Sequence, residues 1–259
     1  MSEVLMVALL QMDIQWERKE GNRAKVTRML GELPDNMDLV ILPEMFTTGF
    51  SMQPQGLAED MDGETITWLN SLTKDVNYAI CGSFIASEGL EFYNRFVWSE
   101  KGSIRHHYDK RHLFTMAGEH KVYSPGKGSP LIEYRGWRIL PRICYDLRFP
   151  VWCRTTEVDL HIYVANWPKP RVNAWDTLLK ARAIENQCYA VGVNRVGKDG
   201  NAHEYVGHSA AVDPKGVLIT QEHADAEGWI VTRLEKAPLH EFREKFPIYL
   251  DADSFEIKD

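Results

Sequence analysis

Three short polar islands in this chain carry residue types that can cleave a carbon–nitrogen bond. They are Glu44 in VILPEMFTTGF, Lys110 in HHYDKRHLF and Cys144 in ILPRICYDLRFP. A thiol delivered at the carboxyl end of an apolar strand, just before a turn, is well placed for nucleophilic attack. A carboxylate can take the thiol proton, and an ammonium can stabilise the oxyanion that attack creates. Taken singly, each residue has an ordinary reading: a core cysteine, a solvated turn carboxylate, a surface lysine. Cys81, Cys153 and Cys188 keep that ordinary reading. Together the three islands are harder to dismiss, because polar residues at the carboxyl ends of strands in one sheet can converge on a single crevice.

The elements that must position them are readable from the hydrophobic pattern. Val4–Gln11, Leu39–Pro43, Tyr78–Phe84 and Leu160–Asn166 read as buried strands, and the second ends beside Glu44. Trp137–Ile143 is the strand that ends at Cys144. Helical spacing covers Asn22–Leu33, Glu64–Lys74 and about Asn173–Gln187, the last entered through Pro168 and Pro170. FYNRFVW and SIRHHY form a hairpin through Lys101-Gly102, and LIEY meets WRILPRIC through Arg135-Gly136. Residues 109–130 read as a long polar loop holding Lys110 and Glu119. A short helix follows Arg148, YAVGVNRVG is a strand, YVGHSAAVD and VLIT pair around Pro214-Lys215-Gly216, and GWIVTRL is the last strand. Short strands alternating with helices, with hairpins between, predict a mixed sheet or two sheets covered by helices.

Length and composition set the frame. The chain has 259 residues, 44% of them apolar and 26% charged, which fits one α/β domain spanning residues 1–259. With no linker or repeat visible, one domain is preferred to two. A formal charge of −7 and the lack of a basic stripe argue against nucleic acid as a partner. The amino terminus lacks a basic leader region, and no apolar run approaches the roughly 20 residues that span a bilayer. Four cysteines without a CxxC pair, in a large chain with no export signal, read as reduced thiols in a cytoplasmic protein without a zinc site. The segment 235–259 is charged but carries Phe242, Phe246, Tyr249 and Phe255, so it is expected to pack on its own domain or a partner subunit.

The islands, in their order, resemble the nitrilase superfamily of carbon–nitrogen hydrolases over nearly the whole length. LPEMF is similar to that family's glutamate motif, YDKRHLF to its lysine motif and ICYDLRFP to its cysteine motif. Glu119, in MAGEH, resembles the second glutamate, while RAIENQCY and GHSAAVDPKG resemble later blocks. The resemblance implies a four-layer α-β-β-α sandwich, a homodimer, and hydrolysis through a cysteine thioester with no metal or organic cofactor. It also implies that Cys144 is the nucleophile, Glu44 the general base, Lys110 the oxyanion partner with the Tyr145 backbone N–H, and Glu119 an aid to Lys110 or to deacylation.

Specificity is less legible. Phe46, Phe114, Tyr145 and Trp167 lie beside the islands and are candidates for the walls of a small pocket, or else core aromatics. Arg148, Arg171 and Lys169 flank the same strand ends and are candidates for holding a substrate carboxylate, or else surface charges. Arg142 alternates onto the face of Cys144 along a regular strand, so either it reaches the site to bind an anion, or the strand is irregular there, or it makes a structural salt bridge. The wording YDKRHLFTMAGEH, CYDLRFPVW and NWPKPR resembles the ω-amidase branch most, which implies ω-amides of 2-oxo dicarboxylic acids, such as 2-oxoglutaramate, as substrates. An N-carbamoyl amino acid hydrolase is the nearest alternative. A catalytically silent scaffold on the same fold is the alternative of another class.

Overall fold

The computed structural model describes residues 3–220 and 225–257. Chain order in the first half is β1 (Val4–Gln11), α1 (Lys19–Leu30), β2 (Leu39–Ile41), α2 (Glu64–Thr73), β3 (Ala79–Glu88), β4 (Glu91–Glu100) and β5 (Ser103–Asp109). The second half runs β6 (Ile132–Tyr134), β7 (Trp137–Ile143), α3 (Pro150–Cys153), β8 (Leu160–Ala165), α4 (Val172–Asn186), β9 (Tyr189–Asn194), β10 (Val196–Lys198), β11 (Glu204–Val206), β12 (Ala210–Val212), β13 (Gly228–Glu235) and α5 (Lys236–Lys245).

Two sheets result, ordered β13-β1-β2-β3-β4-β5 and β12-β9-β8-β7-β6, with β10 and β11 as a separate ribbon. In each, three parallel strands sit side by side: β1, β2 and β3 in one, β7, β8 and β9 in the other. Side-chain alternation explains the layering. Leu5, Val7 and Leu9 of β1 enter a core between the sheets with Ile41, Trp98, Trp137, Ile139, Ile162 and Val191. The intervening Ala8 and Leu10 pack with Val26 and Met29 of α1 and Ile66 and Leu69 of α2. Tyr163 and Ala165 of β8 pack against Trp175, Leu179 and Ala183 of α4. Strands buried on both faces read as continuous apolar runs, as these do. The architecture is the expected mixed α/β four-layer α-β-β-α sandwich.

Gly192 of β9 lets α4 sit close, because a Cβ there would fall 2.5 Å from the Trp175 ring and 2.6 Å from Leu179.

Three local expectations change. The first helix runs Lys19–Leu30 rather than from Asn22, because the buried Asn22 side chain bonds Gln15 and the Thr47 carbonyl from inside the first turn. YVGHSAAVD is two strands, not one: Gly207 and His208 take φ of 71° and 57°, so β11 pairs with β10 and β12 with β9. VLIT forms no strand of its own and joins β12 through the Val212–Leu218 bridge and bonds such as Ile219 N–H to Ala211 O. The charged tail begins as α5, anchored by buried Leu239 and by Lys236 and Arg243 against Asp159 at 3.1 and 3.3 Å. Beyond it Phe246 and Phe255 stay 57% and 51% exposed, with Phe255 and Ile257 at a groove lined by Leu140, Arg142 and Trp152.

Candidate active site

The aligned parallel strands bring their carboxyl ends to one rim. Glu44 follows β2, Lys110 follows β5, Cys144 follows β7 and Asn166 follows β8. Glu44 and Lys110 therefore come from the first sheet, and Cys144 and Asn166 from the second.

Lys110 Nζ lies 2.9 Å from Glu44 Oε1 and 3.0 Å from both carboxylate oxygens of Glu119, with all three side chains fully buried. Burial alone would depress the lysine, but Glu119 and Glu44 overcome it and hold the ammonium above its ordinary value. Burial likewise raises the Glu119 carboxyl, against the opposing pull of Lys110. Glu119 sits in a 3-10 turn after left-handed Gly118 and also accepts the Phe114 N–H.

Glu44 is held on every side. Asn94 Nδ2 donates to Oε1 at 2.7 Å, the Asn166 N–H donates to Oε2 at 2.8 Å, and Asn166 Nδ2 donates to the Glu44 carbonyl at 2.6 Å. Asn94 is itself oriented by Ser83, whose hydroxyl donates to Asn94 Oδ1 at 2.8 Å and accepts the Met45 N–H at 2.9 Å. With its oxygen so engaged, Asn94 can present only its NH₂ group to the carboxylate.

Cys144 sits on a sharp elbow. Its φ is 43°, in the left-handed region, and it opens the 3-10 turn Cys144–Arg148. That conformation costs on the order of 1–2 kcal/mol for a side-chain-bearing residue. Buried Asp146 fastens the elbow, accepting the Ile143 N–H at 3.1 Å, the Tyr108 hydroxyl at 2.7 Å and the His112 N–H at 3.1 Å. Burial would raise this carboxyl, but His112, Arg142 and Tyr108 together hold it below its usual value. The Tyr145 N–H lies in the first turn of the 3-10 helix, where backbone N–H groups have no acceptor within the helix. Burial pushes the Cys144 thiol well above its ordinary value; Glu44 adds to this and Lys110 partly opposes it.

The left-handed elbow ends the strand alternation, so Arg142 does not share a face with Cys144. The irregular strand end is the expectation that holds, and the anion site and the salt bridge are not found among the described residues. Its guanidinium lies 5.5 Å from the Tyr108 ring centre and 4.8 Å from that of Trp152, and donates to Pro141 O, Trp152 O and Ser129 Oγ. Among the described residues it has no ion-pair partner.

A cavity of about 510 Å³ opens over the site, with Lys110, Cys144 and Asn166 in its lining. Phe114, Tyr145, Arg148, Trp167 and Arg171 line it as well. Phe46 does not: it is fully buried in the core beneath the helices, 6.0 Å from the Trp68 ring, because its backbone N–H ties it to Ser83 O and turns it inward. Lys169 is exposed and paired with Glu204 at 3.2 Å. Arg148 packs its guanidinium over Trp167 at 4.8 Å and Arg171 over Phe114 at 5.2 Å, and among the described residues neither has a carboxylate partner. Trp16, Asp199, His203 and Tyr205 complete one wall from the β1 loop and the β10–β11 ribbon, which sequence reading did not connect to the site. Asn94 was missed too, although asparagine inside an apolar strand is an unusual residue there. Asn166 had shown only as the polar end of a strand.

The carbon–nitrogen hydrolase family model matches residues 6–244. The omega-amidase YafV of Escherichia coli K12 is 44% identical over 98% of both chains. The 2-oxoglutaramate amidase of Bacillus subtilis is 32% identical over 95% of this chain and 96% of its own. Among solved structures, XC1258 from Xanthomonas campestris, a CN-hydrolase superfamily protein with an arsenic adduct in the active site, superposes with a TM-score of 0.95 at 42% identity, covering 99% and 100% of the two chains. Nit3 of Saccharomyces cerevisiae, a nitrilase superfamily member, superposes with a TM-score of 0.85 at 26% identity over 95% and 96%. With its thiol, ammonium and two carboxylates gathered on one rim of an α-β-β-α sandwich, this chain belongs to the carbon–nitrogen hydrolase family.

Proposed function

We propose that the protein hydrolyses the ω-amide of a small 2-oxo dicarboxylic acid, such as 2-oxoglutaramate, to the dicarboxylate and ammonia. The observation that carries the substrate class is the pair Arg148 and Arg171, two cations on the cavity wall with no carboxylate partner among the described residues. A guanidinium fork matches a carboxylate by two parallel hydrogen bonds. A volume of about 510 Å³ suits a small substrate. The activities named for the YafV and Bacillus subtilis relatives support the same reading.

The mechanism follows from the contacts. Cys144 Sγ attacks the amide carbon while its proton passes to Glu44, whose carboxylate acts on the thiol. A raised thiol pKa means that proton transfer accompanies attack, in place of a standing thiolate. Lys110 can serve two carboxylates with two of its three N–H groups, leaving the third for the oxyanion beside the Tyr145 N–H. The C–N bond breaks as Glu44 returns the proton to nitrogen, and ammonia leaves. Water, deprotonated by Glu44, then attacks the thioester; the C–S bond breaks and the thiol regains its proton. Glu119 holds Lys110 in place. The catalytic unit is proposed to work as a homodimer in the cytoplasm, without metal or organic cofactor.

Purified protein incubated with 2-oxoglutaramate, 2-oxosuccinamate and N-carbamoyl amino acids tests this through ammonia release. Release from the two oxo-amides, lost in Cys144→Ala and with KM raised in Arg148→Met or Arg171→Met, is the expected result. Cleavage confined to N-carbamoyl amino acids would overturn the substrate, and release that survives Cys144→Ala would overturn the mechanism.

A further inference from the structure

One buried acceptor at the site has no partner. Asn166 is 5% exposed and lines the cavity with Cys144 and Lys110, yet its Oδ1 accepts no hydrogen bond. Its orientation is not arbitrary. Nδ2 donates to the Glu44 carbonyl at 2.6 Å, so turning the amide over would set Oδ1 against that oxygen. The two carboxylates beside it are engaged: Glu44 by Lys110, Asn94 and Asn166, and Glu119 by Lys110 and Phe114. An unsatisfied buried carbonyl is costly, and the cost is removed when a donor arrives.

Asn166 lines the cavity that a substrate enters, so a donor can reach it from that side. Asn166 is joined to both reacting groups, since its backbone N–H holds Glu44 Oε2 and its backbone carbonyl lies 4.0 Å from Cys144 Sγ. A primary amide attacked by Cys144 carries two N–H bonds on the nitrogen that must leave beside Glu44. We propose that Asn166 Oδ1 accepts one of those N–H groups and so holds the leaving nitrogen in line for protonation by Glu44. In the collapse of the tetrahedral adduct the C–N electron pair goes to nitrogen, the Glu44 proton follows it, and the N–H bonded to Asn166 leaves intact within ammonia. The contact is specific to a leaving group with N–H bonds. The leaving oxygen of a methyl ester has none to offer.

This inference rests on the cysteine mechanism proposed above, and its test separates the two. The kcat/KM values of the ω-amide and of the matching ω-methyl ester are measured for wild type, Asn166→Ala and Asn166→Asp. Both rates can fall in Asn166→Ala, because Nδ2 also steadies Glu44. The expected result is a drop of at least tenfold in the amide-to-ester ratio. Asn166→Asp keeps an acceptor at the Oδ1 position and, when protonated, a donor toward the Glu44 carbonyl, so its ratio should climb back toward wild type as pH is lowered. Equal losses on amide and ester in Asn166→Ala would overturn the proposal and leave Asn166 as a support for Glu44. So would a ratio in Asn166→Asp that stays as low as that of Asn166→Ala at every pH. A failure of the mechanism itself shows separately, as amide and ester turnover surviving in Cys144→Ala.

Discussion

Replacing Lys110 with methionine should damage the fold and the chemistry by separable amounts. The ammonium makes contacts of 2.9, 3.0 and 3.0 Å with two carboxylates, and none of the three side chains reaches solvent. Methionine fills most of the volume but leaves those carboxylates facing each other in a dry interior. Breaking a buried ion pair from one side typically costs about 3–5 kcal/mol. The orphaned pair can recover part of this by binding a shared proton, which raises its pKa in the folded state above the unfolded value of about 4.3. The sign then follows. The folded variant binds more protons than its unfolded chain, so its stability falls as pH rises from the unfolded value through the folded one. In the wild type Lys110 is itself raised, so its contribution is complete below the unfolded lysine value and is lost only in strong alkali. Glu119 is already raised in the wild type, so the quantity to follow is the difference between the two proteins. Urea melts at about pH 5.5 and about pH 8 should show the deficit growing toward alkali. Activity should fall about 100- to 1,000-fold or more at both, because the oxyanion donor is gone. A deficit below about 1 kcal/mol at pH 8, or one that does not change with pH, would refute the placement of this lysine as a buried countercharge.

Three further outcomes follow. Ser83→Ala strips partners from the buried Met45 N–H and Asn94 Oδ1, so it should cost about 1–3 kcal/mol in a urea melt. It should also lower kcat on the order of tenfold as Glu44 tilts. Gly126→Ala places a Cβ 2.0 Å from Asp109 O, in the turn whose N–H bonds Lys110 O at 2.9 Å. It should cost about 1–3 kcal/mol and depress kcat while KM holds, read by steady-state kinetics on the ω-amide. Alkylation of Cys144 by iodoacetamide, followed by mass spectrometry, should be slow at neutral pH and still rising above the ordinary thiol value of about 8.5, because the thiol is raised. A plateau at or below neutrality would contradict that.

Much of this was legible because strand ends announce themselves. Glu44 and Cys144 each follow an apolar run and Lys110 closely follows a strand, and parallel strands in register bring such ends together. Hydrophobic alternation gave the layers. What periodicity could not carry was backbone sign. The left-handed φ of 43° at Cys144 ends the alternation that placed Arg142 beside it, and φ of 57° at His208 splits one expected strand into two. Phe46 looked like pocket wall because it stands two residues after Glu44, but position along the chain does not show which way a turn points its rings. Asn94 and Asn166 were obscured for another reason. Their value lies in hydrogen bonds to a partner 50 and 122 residues away, and nothing local marks such a pairing.

The centre is a seam. Its base and cation hang from one sheet, its nucleophile and Asn166 from the other, and the Trp98–Trp137 core between the sheets sets how far apart they stand. Turnover is therefore a gauge of sheet separation. A displacement of about 1 Å can cost on the order of 100-fold in rate. Trimming Trp98 or Trp137 should silence the enzyme before it unfolds it, and a folding intermediate with either sheet formed alone should have no activity at all.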